Sequence, residues 1–347
     1  MELNPLRLFA CDLNFSCYTS GKPNDIFWRP SAPQDWKDVD PSEYVNWHIE
    51  FGNNIIHCHA YTFSGYALYP SKLGPLAPDR GSQLFPGIYE LAQKNNMPMM
   101  SCFNSTADLV MSNLRDDWVV TGSREGCHFG FLAPETDWTA LLCDRIFEFL
   151  SKYPVEYMLF DWFVYGNTMP DKFKIRPSWY MKDWFKKIIG REIPQDAGEI
   201  SEEENLKYKR EILSMQFYKI KEAAKSASPN TKLIFNVPYH EAHEKLWERH
   251  PMLEESDILY AESSKSDVVE WLIDIKKPWQ RVMTTIIGRP DDITQCDPDS
   301  WEKWYYKDCD LTGYAIGNAP DFRPDPRFNN DLKIVKNAFH KIRDLSK

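Results

Sequence analysis

The sequence predicts an α/β protein of 347 residues that folds as a single (β/α)₈ TIM barrel with an insertion after the fourth strand. Short apolar runs alternate with longer segments of helical periodicity along the whole chain. The strand-like runs number eight and are continuously apolar, as in parallel strands that are buried on both faces. None of the 15 glycines forms a nucleotide-binding turn after the first strand, which disfavours an open doubly wound sheet.

Each predicted strand is a run of apolar, β-branched or aromatic residues. In chain order the strands are Arg7–Asp12, Asn54–His59, Met97–Asn104, Tyr157–Phe163, Lys232–Val237, Ile258–Glu262, Arg281–Ile287 and Leu311–Ile316. The segments that follow them have helical spacing, and several open on a start signal, such as Ser201 before Glu202. The predicted helices are Ser42–Phe51, Leu84–Asn95, Thr136–Lys152, Ser201–Ser226, Ala242–Glu254, Ser266–Ile275, Asp299–Lys307 and Asn330–Leu345.

Residues 1–347 are therefore predicted to form one domain. Residues 164–200, rich in Trp, Pro and Lys, are predicted to be a rim insertion over the mouth of the barrel. In a barrel of this kind function resides at the carboxyl ends of the strands, because side chains there point into the mouth and the following loops vary freely.

The composition excludes several classes of protein. The 41 basic and 51 acidic residues give a formal net charge of −10, which disfavours a nucleic-acid or anionic-membrane partner. No apolar run is long enough to span a membrane, and no signal peptide is visible, so a cytoplasmic location is predicted. The eight cysteines are scattered without a CxxC pair, which indicates free thiols in a reducing compartment. A homo-oligomer is left open.

Polar side chains follow many of the apolar runs. They lie at the carboxyl ends of the strands, where the active sites of barrel enzymes are found. The aromatic share of 14%, with 13 Trp, also suits the apolar faces of sugar rings. We therefore predict a small-molecule carbohydrate as the partner. The candidate substrate-binding residues are Asp12, Asn14, His57, His59, Tyr61, Asn104, Trp162, Asn236, His240 and Arg289.

Two carboxylates are the candidate catalytic residues. Asp161 lies within the aromatic run YMLFDWF, and Glu262 follows the sixth strand in ILYAESS. An ionisable group in apolar surroundings destabilises the fold unless it is paired. The position of each acid therefore favours a functional role over a capping role. Two such groups can cleave a glycosidic bond, one as nucleophile or base and the other as proton donor.

His57 and His59 support an alternative. Residues two apart in a strand face the same side, so both imidazoles could hold one metal ion, with His240 and Asp321 completing an amidohydrolase-type site. They could instead hold sugar hydroxyls, and we prefer this interpretation. No metal and no cofactor is therefore predicted. A non-catalytic carbohydrate-binding barrel is the third possibility.

The stretch Ser64–Lys72, SGYALYPSK, resembles the DGFxLWxSK segment of the α-L-fucosidase family of glycoside hydrolases. It is also similar to the GYxxYPTK pattern of related barrels known as hypothetical glycosyl hydrolases. Leu159–Trp162, LFDW, is similar to the WFDG of the same family at the end of strand four. The family has a histidine pair where this chain has Thr62 and Phe63, and a glycine where it has Trp162.

The resemblance implies a barrel hydrolase with a retaining mechanism. It implies that Asp161 is the nucleophile, and it implies an acid/base role for Glu262, since some fucosidases place that glutamate near strand six. The predicted function is accordingly a glycosidase that removes a terminal sugar, such as an α-L-fucoside or a related glycoside.

Overall fold

The computed structural model describes residues 5–19, 26–120, 130–165, 179–237, 244–287, 296–317, 321–324 and 329–345. Within these ranges the chain is an α/β structure built on one nine-stranded sheet. The strands are β1 (Arg7–Thr19), β2 (Ile26–Pro30), β3 (Ile56–His59), β4 (Met99–Asn104), β5 (Tyr157–Asp161), β6 (Lys232–Asn236), β7 (Ile258–Ala261), β8 (Arg281–Ile287) and β9 (Asp310–Gly317).

Helices follow most of the strands. They are α1 (Pro41–Phe51), α2 (Leu84–Lys94), α3 (Leu109–Leu114), α4 (Trp138–Lys152), α5 (Trp179–Ile189), α6 (Glu202–Ala227), α7 (Glu244–Trp247), α8 (Pro251–Glu255), α9 (Ser266–Ile275), α10 (Trp301–Tyr305) and α11 (Asn329–Leu345). No helix within the described ranges combines the length and the apolar composition that a membrane crossing requires.

The sheet is curled, and its topology is compatible with a barrel. Its strand order is β2-β1-β9-β8-β7-β6-β5-β4-β3, and every pair except the antiparallel β1–β2 pair is parallel. Parallel neighbours that follow each other in the chain need crossover connections, which the helices supply. The first strand therefore pairs directly with the last, as Arg7 lies beside Leu311 and Asp12 beside Ile316.

β1 and β3 approach each other without a backbone ladder in the described part of the chain. Side-chain amides join them instead: Asn53 Oδ1 accepts from Phe9 N at 3.1 Å, and Asn53 Nδ2 donates to Phe9 O at 3.0 Å. Asn54 adds a backbone hydrogen bond to Arg7 O and accepts from Arg7 N through its side chain. A sheet that returns to its own first strand in this way encloses a concave face.

Strand side chains alternate between two apolar layers, because successive residues of a strand point to opposite faces. Leu8 and Ala10 belong to a small buried cluster on the concave face, whereas Phe9 and Cys11 belong to the large core between the sheet and its helices. Burial on both faces explains why the sequence shows continuous apolar runs rather than alternating ones.

The predicted parallel strands are all present, and seven of the eight lie within two residues of their predicted bounds. The exception is the first, which was predicted to end at Asp12 and continues to Thr19, because its last residues pair with β2. The antiparallel strand β2 was not predicted. The predicted helix Ala242–Glu254 is wrong in its continuity: its described part is divided into α7 and α8, with Arg249 at φ 52° between them. Pro251 causes the break, since a proline lacks the N–H that a helix interior requires and fits only the first turn of the next helix.

The predicted insertion contributes α5 to the described structure. This helix packs beside α6 in the outer layer, where the Phe185 and Tyr208 rings lie 5.8 Å apart. Arg191 pairs with Glu204 of α6 at 2.7 Å. Residues 166–178 of the insertion lie outside the described ranges, so a rim over the mouth stays a prediction.

Candidate active site

A pocket opens on the concave face of the sheet, at the carboxyl ends of the parallel strands. The space between its walls and across its open mouth is about 520 Å³. Its floor is apolar and its upper wall is polar. The lining residues are Leu8, Ala10, Asp12, Asn14, His57, His59, Met100, Cys102, Leu159, Asp161, Tyr260, Glu262, Met283, Thr312 and Tyr314.

Asp161 ends β5 and lies in the pocket wall. Its Oδ1 accepts from the backbone N–H of Trp162 at 2.7 Å and from Asn236 Nδ2 at 2.9 Å. Asn236 ends the neighbouring strand β6, so the parallel pairing brings the amide to the carboxylate. Hydrogen bonds to a carboxylate stabilise its charged form and fix its direction.

The residue after Asp161 has an unusual backbone. Trp162 has φ 51°, in the left-handed region that favours glycine. Its carbonyl accepts from Thr106 Oγ1 at 2.6 Å, and its ring packs 5.7 Å from Phe63 and 5.6 Å from Phe131. The glycine that the fucosidase pattern has at this position is thus replaced here by a tryptophan in a conformation that favours glycine.

Glu262 follows β7 and lies on the same pocket. Its Oε2 accepts from the Tyr314 hydroxyl at 3.4 Å. Tyr260, two residues earlier on the same face, is buried, and desolvation raises the pKa of its hydroxyl well above the usual value. The Tyr260 oxygen accepts from Thr285 Oγ1 at 3.0 Å. Glu262 thus has two phenol side chains beside it, those of Tyr260 and Tyr314.

Asp12 and Asn14 occur where β1 changes direction. The parallel register with β9 runs regularly to Asp12 and shifts between Asp12 and Ser16. Such irregularities re-aim side chains at the rims of barrels. Asn14 Oδ1 accepts from Phe63 N at 2.7 Å and from Asn104 Nδ2 at 3.3 Å, so it also ties the loop after β3 to the pocket.

His57 and His59 both face the pocket from β3, with ring centroids 4.7 Å apart. Burial lowers the pKa of His59 to about 3 and that of His57 well below its usual value, so both imidazoles are neutral. His59 Nε2 lies 3.7 Å from Asp12 Oδ1. The Nδ1 atom of each ring is buried without a hydrogen-bond partner in the structure.

The structure brings several of the predicted site residues together. Asp161, Glu262, Asp12, Asn14, His57 and His59 line one pocket. Asn104 and Asn236 stand behind that wall and contact Asn14 and Asp161, respectively. His240 and Arg289 lie outside the described residues.

The structure places two predicted residues elsewhere. Tyr61 is buried in the outer core, where the Arg145 guanidinium lies 4.4 Å from its ring and its hydroxyl bonds Ser71 at 2.6 Å. Trp162 packs in a small cluster with Phe15, Phe63 and Ala107. Neither residue is part of the pocket lining.

Sequence reasoning missed Cys102, Tyr260, Thr312 and Tyr314, which also line the pocket. The signal was available for one of them: Tyr260 lies two residues before the predicted acid Glu262, and residues two apart share a face. To predict Cys102 as a pocket residue would have required the register of β3 with β4, because that register places Cys102 directly beside His59.

The Ser64–Lys72 segment lies outside the pocket lining and holds the connection between β3 and α2 against α4. Ser71 Oγ donates to Glu148 Oε2 at 2.6 Å, and Lys72 N donates to Glu148 Oε1 at 2.9 Å. Gly65 has φ 88° and packs against Asp108, which pairs with the buried Arg145 at 2.7 Å. Of the two motifs that carry the resemblance, SGYALYPSK is therefore a scaffold element, whereas LFDW contains the pocket residue Asp161.

The predicted amidohydrolase-type ligand set does not assemble around His57 and His59 in the described structure. Asp321 is exposed and accepts from Arg323 at 3.0 Å, and it is absent from the pocket lining. His240 lies outside the described ranges.

No protein-family model matches this chain, and no curated protein sequence matches it. Solved structures do. The α-L-fucosidase isoenzyme 2 from Paenibacillus thiaminolyticus superimposes with a TM-score of 0.66 at 12% identity, over 90% of this chain and 48% of that one. The α-L-fucosidase AlfC from Lactobacillus casei, in complex with α-L-fucose product, gives 0.50 at 12% identity, over 90% of this chain and 83% of that one.

This chain therefore spans about half the length of the Paenibacillus enzyme. Similarity at this level of identity shows a shared fold, and the chemistry has to be argued from the residues of the site. The resemblance read from SGYALYPSK and LFDW is confirmed at that level: the chain has an α-L-fucosidase-like fold.

Proposed function

We propose that this protein is a retaining glycoside hydrolase that removes a terminal neutral sugar, an α-L-fucoside or a closely related glycoside. The observation that carries the proposal is that Asp161 and Glu262, distant in sequence, line one pocket at the carboxyl end of the sheet. Two carboxyl groups that flank a bound sugar are the machinery of most glycosidases.

In this proposal Asp161 attacks the anomeric carbon while Glu262 protonates the leaving oxygen. The hydrogen bonds from Trp162 N and Asn236 Nδ2 hold the Asp161 carboxylate in its charged form, as a nucleophile requires. In the second step Glu262 takes a proton from water, which attacks the glycosyl–Asp161 ester and releases the sugar. The proposal includes closure of the sheet into a complete (β/α)₈ barrel, which lets β5 and β7 converge on one substrate.

The pocket chemistry supports an uncharged substrate. Asp12, Asp161 and Glu262 supply three carboxyl groups, and the described lining includes no lysine or arginine. A sugar acid or a sugar phosphate would therefore meet repulsion. The floor, formed by residues such as Leu8, Met100 and Leu159, suits the apolar ring face and methyl group of a 6-deoxy sugar.

The test is azide rescue with an aryl α-L-fucoside that carries a good leaving group. Asp161→Ala should lower kcat/KM by more than about 1,000-fold, because the nucleophile is lost. Azide should restore turnover and give a fucosyl azide of inverted configuration. With Glu262→Ala, azide should intercept the covalent intermediate and give the azide of retained configuration.

Asp183→Ala, on the exposed face of α5, is the matched control and should keep wild-type activity. Wild-type turnover in both pocket variants would refute the proposed mechanism. Saturable sugar binding without product in the wild-type protein would instead indicate a carbohydrate-binding barrel.

A further inference from the structure

The second feature of the pocket is a group of potential metal ligands that the proposed hydrolysis does not use. One ligand atom each from His57, His59 and Cys102 lie within 4.8 Å of one another, and all three residues are buried. This arrangement follows from strand geometry. His57 and His59 share a face of β3, and the parallel register sets Cys102 of β4 beside His59.

The two imidazoles are available as ligands. Each has a buried Nδ1 without a hydrogen-bond partner in the structure. A buried polar atom without a partner is destabilising, so a partner for these nitrogens would be stabilising.

The surroundings favour a divalent cation. Asp12 lies 3.7 Å from His59 Nε2, and a carboxylate beside a metal-binding histidine orients its ring. Asp161 and Glu262 line the same pocket and add negative charge. All three potential ligands are part of the lining, so an ion can enter through the pocket mouth.

We propose that His57, His59 and Cys102 form a binding site for a thiophilic divalent ion of the Zn²⁺ class in the pocket wall. Imidazole nitrogen and cysteine thiolate are both ligands that zinc binds in proteins, and three protein ligands leave a fourth position open toward the pocket. Tetrahedral Zn²⁺ holds its ligand atoms about 3.5 Å apart, so small side-chain rotations suffice. On binding, the Cys102 thiol releases its proton to solvent and the thiolate takes the metal.

The experiment is a titration of the chelator-treated, full-length protein with Zn²⁺ and, separately, with Co²⁺. Calorimetry should give one tight Zn²⁺ site per chain with proton release. Co²⁺ should give the visible bands of a tetrahedral site and a near-ultraviolet thiolate-to-cobalt charge-transfer band. Cys102→Ser should remove the charge-transfer band, and His57→Ala or His59→Ala should weaken Zn²⁺ binding by more than about 100-fold, beyond the 10–100-fold cost of losing a supporting residue.

Cys143→Ser, on α4 and outside the pocket, is the matched control and should bind both ions like the wild type. A wild-type protein that binds no stoichiometric Zn²⁺, or binds Co²⁺ without the charge-transfer band, would overturn the inference. If a variant does not fold by circular dichroism, alkylation decides, under conditions in which the metal-free wild type is labelled at Cys102: Zn²⁺ should protect Cys102, and equal labelling with and without Zn²⁺ would refute the site. The outcome is independent of glycosidase activity.

Discussion

At the scale of single residues, Trp162 has a strained backbone directly after the pocket residue Asp161. The left-handed conformation costs a residue with a side chain about 1–2 kcal/mol, and glycine avoids this cost. Two hydrogen bonds stabilise this conformation: Thr106 donates to the Trp162 carbonyl, and Asp161 accepts from the Trp162 N–H. The hydrogen bond that orients the proposed nucleophile thus comes from the strained residue itself.

A pair of variants at position 162 measures this strain. Trp162→Gly and Trp162→Ala both remove the packing against Phe63 and Phe131, so their difference isolates the backbone. We expect the glycine variant to be about 1 kcal/mol more stable than the alanine variant in urea unfolding.

The same pair at Trp279, which is 67% exposed and outside the left-handed region, is the control. There the alanine variant should be equal to or more stable than the glycine variant, since glycine adds entropy to the unfolded chain. An alanine variant at position 162 that is at least as stable as its glycine counterpart would contradict the strain.

At the scale of elements, the loop after β3 shows how a sequence motif can serve the scaffold. Gly65 brings its backbone against Asp108, and Asp108 caps α3 by accepting from Met111 N at 2.7 Å while it pairs with Arg145 of α4. One glycine thereby allows three elements to meet. Substitutions in the Ser64–Lys72 motif are therefore expected to lower the stability of the fold rather than to act directly on catalysis.

Gly65→Ala should lower the free energy of unfolding by about 2–4 kcal/mol. A Cβ at this position would lie 2.9 Å from Val110 Cβ and closer still to the Asp108 carboxylate, in addition to the strain of a positive φ. Gly190→Ala separates the two effects, because Gly190 has φ 89° and its Cβ would meet nothing within 4 Å. Urea unfolding should show the larger loss for Gly65→Ala; equal losses would mean that the close approach has no cost.

The elements also show what sequence patterns can and cannot predict. The strands β3 to β9 were predictable because burial on both faces leaves an uninterrupted apolar run. β2 was not, because its pairing with β1 depends on a turn in chain direction that no periodicity records. In the pocket, Asp161 and Glu262 were visible as acids at strand ends, whereas Cys102 became a neighbour of His59 only through register between strands.

At the scale of the whole molecule, the junction of β1 and β3 decides whether the curled sheet closes. Asn53 makes three of the four hydrogen bonds that its amide allows: it exchanges two with the Phe9 backbone and donates a third to His48 Nδ1 at 2.7 Å. These bonds occupy the backbone groups of Phe9 that a strand ladder would otherwise use. A single side chain therefore substitutes for part of a ladder.

Asn53→Ala should destabilise the protein by about 2–4 kcal/mol, because it leaves the buried N–H and C=O of Phe9 without partners. Since Asp12 and Asn14 continue from Phe9 on β1, the loosened strand should also weaken sugar binding. Asn95→Ala makes the same change at an exposed position and should alter stability by less than about 0.5 kcal/mol. Urea unfolding measures the first effect, and hydrogen exchange at Phe9 localises it: unchanged protection of the Phe9 amide in Asn53→Ala would show that the sheet closes without this side chain.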